Sequence, residues 1–216
     1  QYALNYCIRR INAGQPEAYA EALALYQTLL DRGVLLRQGR LSQWTFKNIT
    51  TAGLRSGAFA WTEQFLNHYR ALLPPSEQEN AYAYNLAALY FEKEQYTATL
   101  LTLQNVEFTD FSYHLGAKIM QLKSYYLLDE TEALQALLEA TQQLLRRNRS
   151  LSAFGKTANL NFIRMLRLLL QWKHGGDTRA PVKHRQQQAQ LLDKMERLQP
   201  LANKDWLQDM LDRIGS

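Results

Sequence analysis

The residues that most often catalyse reactions or bind metal ions are scattered singly along this chain. The four histidines are His68, His114, His174 and His184. None of them has a carboxylate or a second histidine at the sequence spacing of a metal site. The single cysteine, Cys7, excludes an internal disulfide and has no histidine partner that would make it a nucleophile. We therefore predict no catalytic residue, metal or cofactor, and expect Cys7 to pack as a small apolar side chain.

Neither a phosphate-binding loop nor a general acid–base pair is evident. The segment HGGDTRAP (174–181) lacks the Lys-Ser/Thr that follows the glycines of a P-loop, and we interpret it as a linker. Carboxylates occur in EFTD (107–110) and LLDETEAL (127–134), at the predicted starts of helices. Asp and Glu are stabilising there because of the helix dipole, which explains them without acid–base chemistry. A non-enzymatic protein is therefore predicted.

Positive charge is concentrated in the C-terminal third. Residues 1–145 carry eleven Lys and Arg against fourteen Asp and Glu (net −3), whereas residues 146–216 carry fourteen against six (net +8). A basic patch of Arg146, Arg147 and Arg149 would attract phosphate groups. The same arginines lie at the end of a predicted helix, where the dipole favours them without a ligand. Nucleic-acid binding is therefore the alternative function, although the regular polar code of base-reading repeats is not found.

Almost every segment of the chain has helical periodicity, and none alternates as a strand does. The predicted helices span 2–12, 17–32, 42–57, 58–73, 77–93, 95–105, 112–128, 130–147, 154–173, 183–198 and 203–213. Ser42 is the predicted N-cap of the third helix, and Pro74 and Pro75 close the fourth. The chain is therefore predicted to be all-α, built from helix pairs with short turns.

Two successive helix pairs share the same residue pattern. Gly57, Phe59, Thr62, Leu66 and Pro74 in the first are matched by Glu94, Tyr96, Thr99, Leu103 and Phe111, 37 residues later. A third copy follows about 36 residues on. Such a period indicates stacked helical repeats.

The segment NLAALYFEKEQY (85–96) resembles the tetratricopeptide repeat (TPR). Leu86, Ala87, Tyr90 and Tyr96 stand where that family has Leu, a small residue, Tyr and an aromatic. The resemblance is to divergent TPR-like proteins of bacteria, and it implies that Ala87 is small because the two helices of a repeat meet there. Two residues depart from the pattern: Glu94 at the turn glycine, and Lys123 at the small position of the third copy.

The resemblance implies a right-handed superhelical solenoid of antiparallel helix pairs, whose concave face is lined by the first helix of each pair. The lining positions are Trp44, Lys47, Thr51, Arg55, Tyr84, Ala88, Phe91, Met120, Ser124 and Leu127. We predict that they form a partner-binding groove for a peptide or helix, in which Lys47 and Arg55 meet a carboxylate. The alternative is that a neighbouring helix, such as the C-terminal tail, covers the apolar members.

The predicted domains are repeats over 1–153, best matched over 42–147 with a degenerate copy over 2–32, and a basic C-terminal helical segment over 154–216. The helix NLNFIRMLRLLLQW (159–172) carries a stripe of Leu160, Ile163, Leu166 and Leu170. This stripe either caps the last repeat or binds a partner or a second copy of the chain.

No membrane span is predicted, because Arg164 and Arg167 interrupt the most apolar run, which has about half of the ~20 residues a span needs. The visible chain has no signal peptide, and one cysteine fits a reducing compartment, so we expect a cytoplasmic protein. The chain begins with Gln1 rather than Met, which we interpret as a fragment or a trimmed protein. The leading hypothesis is a protein-interaction scaffold.

Overall fold

The computed structural model describes residues 2–104, 106, 110–175 and 181–215, and within these the side chains of all except 181–184 and 215. Residues 176–180 of the predicted linker and the side chain of His184 therefore lie outside the described residues. Over the described part of the chain the secondary structure is helical, without a strand, so the all-α prediction is confirmed.

The helix bounds agree with the predicted ones to within a few residues. The helices are α1 (Tyr2–Asn12), α2 (Ala18–Asp31), α3 (Gln43–Arg55), α4 (Phe59–Tyr69), α5 (Gln78–Glu92), α6 (Tyr96–Gln104), α7 (Phe111–Leu127), α8 (Thr131–Arg147), α9 (Ala153–Gly175), α10 (Pro181–Arg197) and α11 (Lys204–Gly215). A short 3₁₀ turn, Arg70–Leu72, follows α4.

Side-chain caps fix the starts of two helices. The Ser42 hydroxyl accepts a hydrogen bond from the Thr45 amide at 3.1 Å, which confirms the predicted cap of α3. The Asp110 carboxylate accepts from the amides of Ser112 and Tyr113 at 2.8 and 3.1 Å and caps α7. Asp110 therefore stands at the start of a helix, as predicted for the carboxylates of EFTD, and caps it.

The chain divides into two compact units, residues 1–128 with α1–α7 and residues 129–216 with α8–α11. The predicted boundary between repeats and C-terminal segment, at 153/154, falls inside the second unit, at the start of α9. The assignment of residues 1–153 to repeats stays a prediction.

In the first unit each helix packs against the next one, and α3, α5 and α7 also pack against one another in series. Phe46 and Ile49 of α3, Phe65 and Leu66 of α4 and Leu89 of α5 are buried in one apolar core. Cys7 belongs to the same core and is 2% exposed, so the prediction that it packs as an apolar residue is confirmed.

Equivalent positions of the two matched helix pairs have equivalent packing. Thr62 and Thr99 are both fully buried and donate to the carbonyl oxygens four residues earlier, at 2.8 and 3.1 Å. Thr62 lies directly against Gly53, where a Cβ would collide with it, and the Thr99 hydroxyl lies 3.4 Å from the Ala87 carbonyl oxygen. Small residues therefore stand where the two helices of a pair approach most closely.

The turns after α3 and α5 share one backbone conformation. Gly57 has φ 76° and Glu94 has φ 58°, both in the left-handed region. In each case the next amide bonds back five residues, from Ala58 to Gly53 at 2.9 Å and from Gln95 to Tyr90 at 2.8 Å, as in a Schellman motif. Glu94 therefore keeps the turn geometry of the glycine that it replaces.

In the second unit α9 packs against α8, α10 and α11. Ile163, Leu166 and Leu170 of its predicted stripe are buried, and Leu160 is half-buried. The last turn of α9 is tied to the start of the unit, because Lys173 lies 2.7 Å from the Asp129 carboxylate. None of the helices in the described part of the chain combines the length and the apolar character needed to cross a bilayer.

Candidate ligand-binding face

All ten predicted groove residues lie on the three helices of the first unit that pack in series. We call this surface the α3/α5/α7 face. Trp44, Lys47, Thr51 and Arg55 are spaced three or four residues apart on α3. Helical geometry therefore places them along one side of that helix. Tyr84, Ala88 and Phe91 come from α5, and Met120, Ser124 and Leu127 come from α7.

The best-defined site on this face is a cluster of three aromatic rings around Lys47, which we call the Lys47 cage. The Lys47 Nζ lies 4.8 Å from the ring centroids of Tyr84 and Tyr113 and 5.8 Å from that of Trp44. The rings also contact each other, with centroid separations of 4.8 Å for Tyr84–Tyr113 and 5.3 Å for Trp44–Tyr113. An ammonium over aromatic faces is stabilised by about 0.5–1 kcal/mol or more at each ring.

The backbone fixes two of the cage rings. The Tyr113 hydroxyl donates to the carbonyl oxygen of Gln43 at 2.9 Å, which joins the start of α7 to the start of α3. Tyr84 lies against α7 at Gly116, where an added Cβ would be 2.5 Å from the Tyr84 hydroxyl oxygen. The cage therefore requires a residue without a side chain at position 116.

Burial controls the protonation of the cage. It lowers the pKa of Lys47 against a smaller opposing effect of Asp110. Burial also raises the pKa of Tyr84 to about 12 and raises that of Tyr113. No carboxylate among residues 2–104, 106, 110–175 and 181–215 forms an ion pair with Lys47. The ammonium is therefore partly desolvated, lies close to three aromatic rings, and receives electrostatic support from Asp110 without a direct ion pair.

A second lysine adds positive charge to the same face. The Lys123 Nζ lies 6.0 Å from the Phe91 ring centroid. Burial lowers the pKa of Lys123 to about 8, with Glu92 opposing that effect and Arg55 reinforcing it. The Arg55 guanidinium is itself 5.9 Å from the Tyr19 ring centroid. Three cations from α3 and α7 therefore act on one aromatic-lined face.

The other predicted groove residues differ in accessibility. Thr51 is exposed, and its hydroxyl donates to the Lys47 carbonyl oxygen at 2.9 Å. Ala88 and Met120 are half-buried against apolar clusters, and Leu127 is half-buried as well. Ser124 is fully buried, so its side chain offers no accessible contact.

Sequence reasoning missed Tyr113 and Lys123. Tyr113 is 66 residues from Lys47, and no local pattern connects the two. For Lys123 the sequence did give a signal, because a charged lysine stands at the position where the TPR pattern has a small residue. On α7 Tyr113, Gly116, Met120 and Lys123 are spaced three or four residues apart, so they form one stripe.

The histidines whose side chains the structure describes do not form a metal site. Within the described residues, no three His, Cys, Asp or Glu side chains lie close enough to hold an ion. His174 has partners that the sequence did not indicate, since its Nε2 lies 3.3 Å from both the Asp129 carboxylate and the Thr131 hydroxyl. Together with Lys173, this group joins the end of α9 to the start of α8.

The basic patch of Arg146, Arg147 and Arg149 is exposed at the end of α8. The Lys156 Nζ donates to the Arg146 carbonyl oxygen at 3.4 Å, which supplies a positive charge to the helix terminus.

Comparison of the chain with protein-family models, curated proteins and solved structures gives no match.

Proposed function

We propose that the first unit is a TPR-like solenoid whose α3/α5/α7 face is concave, and that it acts as a non-enzymatic scaffold for a partner protein. The ligand is an acidic peptide or helix of that partner. The observation that supports this proposal is the Lys47 cage, a partly desolvated ammonium on three aromatic rings without a paired carboxylate.

An incoming carboxylate would form the ion pair that Lys47 does not make within the described part of the chain. Folding already desolvates part of Lys47, and the free energy of this desolvation is included in the stability of the unbound protein. Binding of an anion therefore requires less further desolvation of the ammonium than it would at a fully hydrated lysine. A hydrogen bond to a charged group contributes about 1.5–3 kcal/mol. Trp44, which is 43% exposed, adds an aromatic surface for an apolar neighbour of the acidic residue.

The positions of the other cations favour a ligand with more than one acidic residue. Arg55 lies two turns along α3 from Lys47, and Lys123 lies on α7 over Phe91. An extended peptide that follows the face would meet these cations in turn, and its apolar residues would contact Phe91 and Leu127.

The test is a fluorescence-anisotropy titration with a labelled eight-residue peptide that alternates glutamate and leucine. A control peptide has glutamine in place of every glutamate. We expect the acidic peptide to bind at least about tenfold more tightly than the amide peptide, and Lys47→Gln to remove most of that difference. Arg37→Gln is the matched control, since Arg37 is an exposed cation of the same unit outside the α3/α5/α7 face.

Equal binding of both peptides, or equal weakening by Lys47→Gln and Arg37→Gln, would contradict the proposal. The second candidate, nucleic-acid binding, is supported by the exposed Arg146, Arg147 and Arg149. It predicts no effect of Lys47→Gln on the affinity for an oligonucleotide.

A further inference from the structure

A second candidate site lies entirely in the second unit. A cleft of about 400 Å³ opens between α8 and α9, and we call it the α8/α9 cleft. Its lining includes Arg146 of α8 and Arg164 and Arg167 of α9, with the amide of Gln142 and the side chains of Leu160 and Leu168. The volume is in the range of small-molecule sites, about 300–1,000 Å³.

The three arginines line one cleft because of their helical spacing. Gln142 and Arg146 are one turn apart on α8, and Arg164 and Arg167 are three residues apart on α9. The Arg167 Nη1 donates to the Gln142 side-chain oxygen at 2.9 Å, which holds this guanidinium across the two helices. An amide oxygen carries no net charge, so the positive charge of Arg167 remains.

No acidic side chain neutralises the cleft. Its lining contains no Asp or Glu, and none of the three arginines has an ion-pair partner in the part of the chain that the structure describes. Glu139 lines a neighbouring cleft, to which Arg167 also contributes. Three like charges facing one cavity repel each other unless an anion lies between them.

The helix dipole does not explain this arrangement. Arg146 is in the last turn of α8, where a cation is stabilised. Arg164 and Arg167 are in the middle of the 23-residue α9, where the dipole gives no such advantage. The helix dipole therefore accounts for the position of Arg146 but not for the positions of Arg164 and Arg167.

We propose that the α8/α9 cleft binds a small phosphate ester, with the phosphate among the three arginines and the organic part against Leu160 and Leu168. Guanidinium groups match phosphate oxygens in pairs. A phosphate dianion balances three positive charges better than a carboxylate, which carries one negative charge. The two leucines give an ester an advantage over free phosphate.

The experiment is isothermal titration calorimetry of the full chain with phenyl phosphate, benzoate and inorganic phosphate. Phenyl phosphate and benzoate share the aromatic ring and differ in the charged group. We expect phenyl phosphate to bind at least about tenfold more tightly than either of the other two, and Arg164→Gln to weaken it by about tenfold. Arg167→Lys, which keeps the charge but loses the fork-shaped donor, is expected to weaken it by several-fold.

Arg147→Gln is the matched control, because it removes the same charge from the same unit outside the cleft. Its affinity for phenyl phosphate should stay within about twofold of the wild-type value. Equal losses in Arg147→Gln and Arg164→Gln would overturn the proposal, and so would an absence of binding at about 10 mM phenyl phosphate. Equal affinity for inorganic phosphate would overturn the assignment of an ester. Because Arg164 is exposed, unchanged thermal unfolding of its variant is expected and is checked in parallel.

Discussion

At the scale of single residues, Lys123 shows a conflict between stability and charge. The TPR-like pattern calls for a small residue there, and the chain instead has a lysine whose pKa is lowered to about 8 by burial. A cation in such a place lowers the stability of the folded state at neutral pH. Lys123 at the same time adds a positive charge to the α3/α5/α7 face.

Replacing Lys123 by methionine tests this conflict. In the unfolded chain a lysine binds its proton more strongly than Lys123 does in the fold, so the wild-type free energy of unfolding should rise between about pH 8 and about pH 10. Lys123→Met should lack that rise and be more stable at pH 7 by about 1 kcal/mol. Urea unfolding at pH 7, 8, 9 and 10 measures both effects. Parallel pH profiles of the two proteins would contradict the lowered pKa.

At the scale of helices and turns, the starts and ends of the helices depend on residues that are close in sequence. Ser42, Asp110, Gly57 and Pro74 act on neighbouring backbone, and for this reason helix starts and ends were predictable from sequence. Trp44, Lys47 and Tyr84 of the Lys47 cage were predicted from sequence, but Tyr113 was not, because it joins them through the packing of α7 on α5. The cleft that Arg146 shares with Arg164 and Arg167 was not predicted either, since it requires α8 and α9 to pack together.

The turn after α5 offers a reciprocal test. Glu94 has φ 58°, a conformation that costs a non-glycine residue about 1 kcal/mol, whereas Gly57 adopts φ 76° freely. We expect Glu94→Gly to stabilise the protein by about 0.5–1 kcal/mol and Gly57→Ala to destabilise it by a similar amount. Chemical denaturation of the two variants beside wild type gives both values. A loss of stability in Glu94→Gly would show that the glutamate side chain contributes more than its backbone costs.

At the scale of the whole molecule, the division into units changes the meaning of the charge distribution. Residues 1–128 carry eleven basic and ten acidic side chains (net +1), and residues 129–216 carry fourteen and ten (net +4). The contrast of −3 against +8 arose because a boundary at residue 145 separates four acidic residues from the basic helices of their own unit. The second unit is therefore only moderately basic.

This moderate charge predicts weak binding to nucleic acid. We expect a single-stranded oligonucleotide to bind no more tightly than the non-specific range of about 10⁻⁴–10⁻⁶ M at physiological salt. A filter-binding or anisotropy titration over several salt concentrations gives the affinity and its salt slope. Submicromolar binding with a steep slope, lost in Arg146→Gln/Arg147→Gln, would favour the nucleic-acid function instead.

The contact between Trp44 and the Lys47 cage has a spectroscopic consequence. Trp44 is 43% exposed and lies 5.3 Å from the Tyr113 ring, whereas Trp61 and Trp206 are half-buried and Trp172 is buried. The indole that is most open to solvent is therefore the one on the α3/α5/α7 face. A ligand that covers this face should change the emission of Trp44, so ligands can be screened on the unlabelled protein by the change in its tryptophan fluorescence.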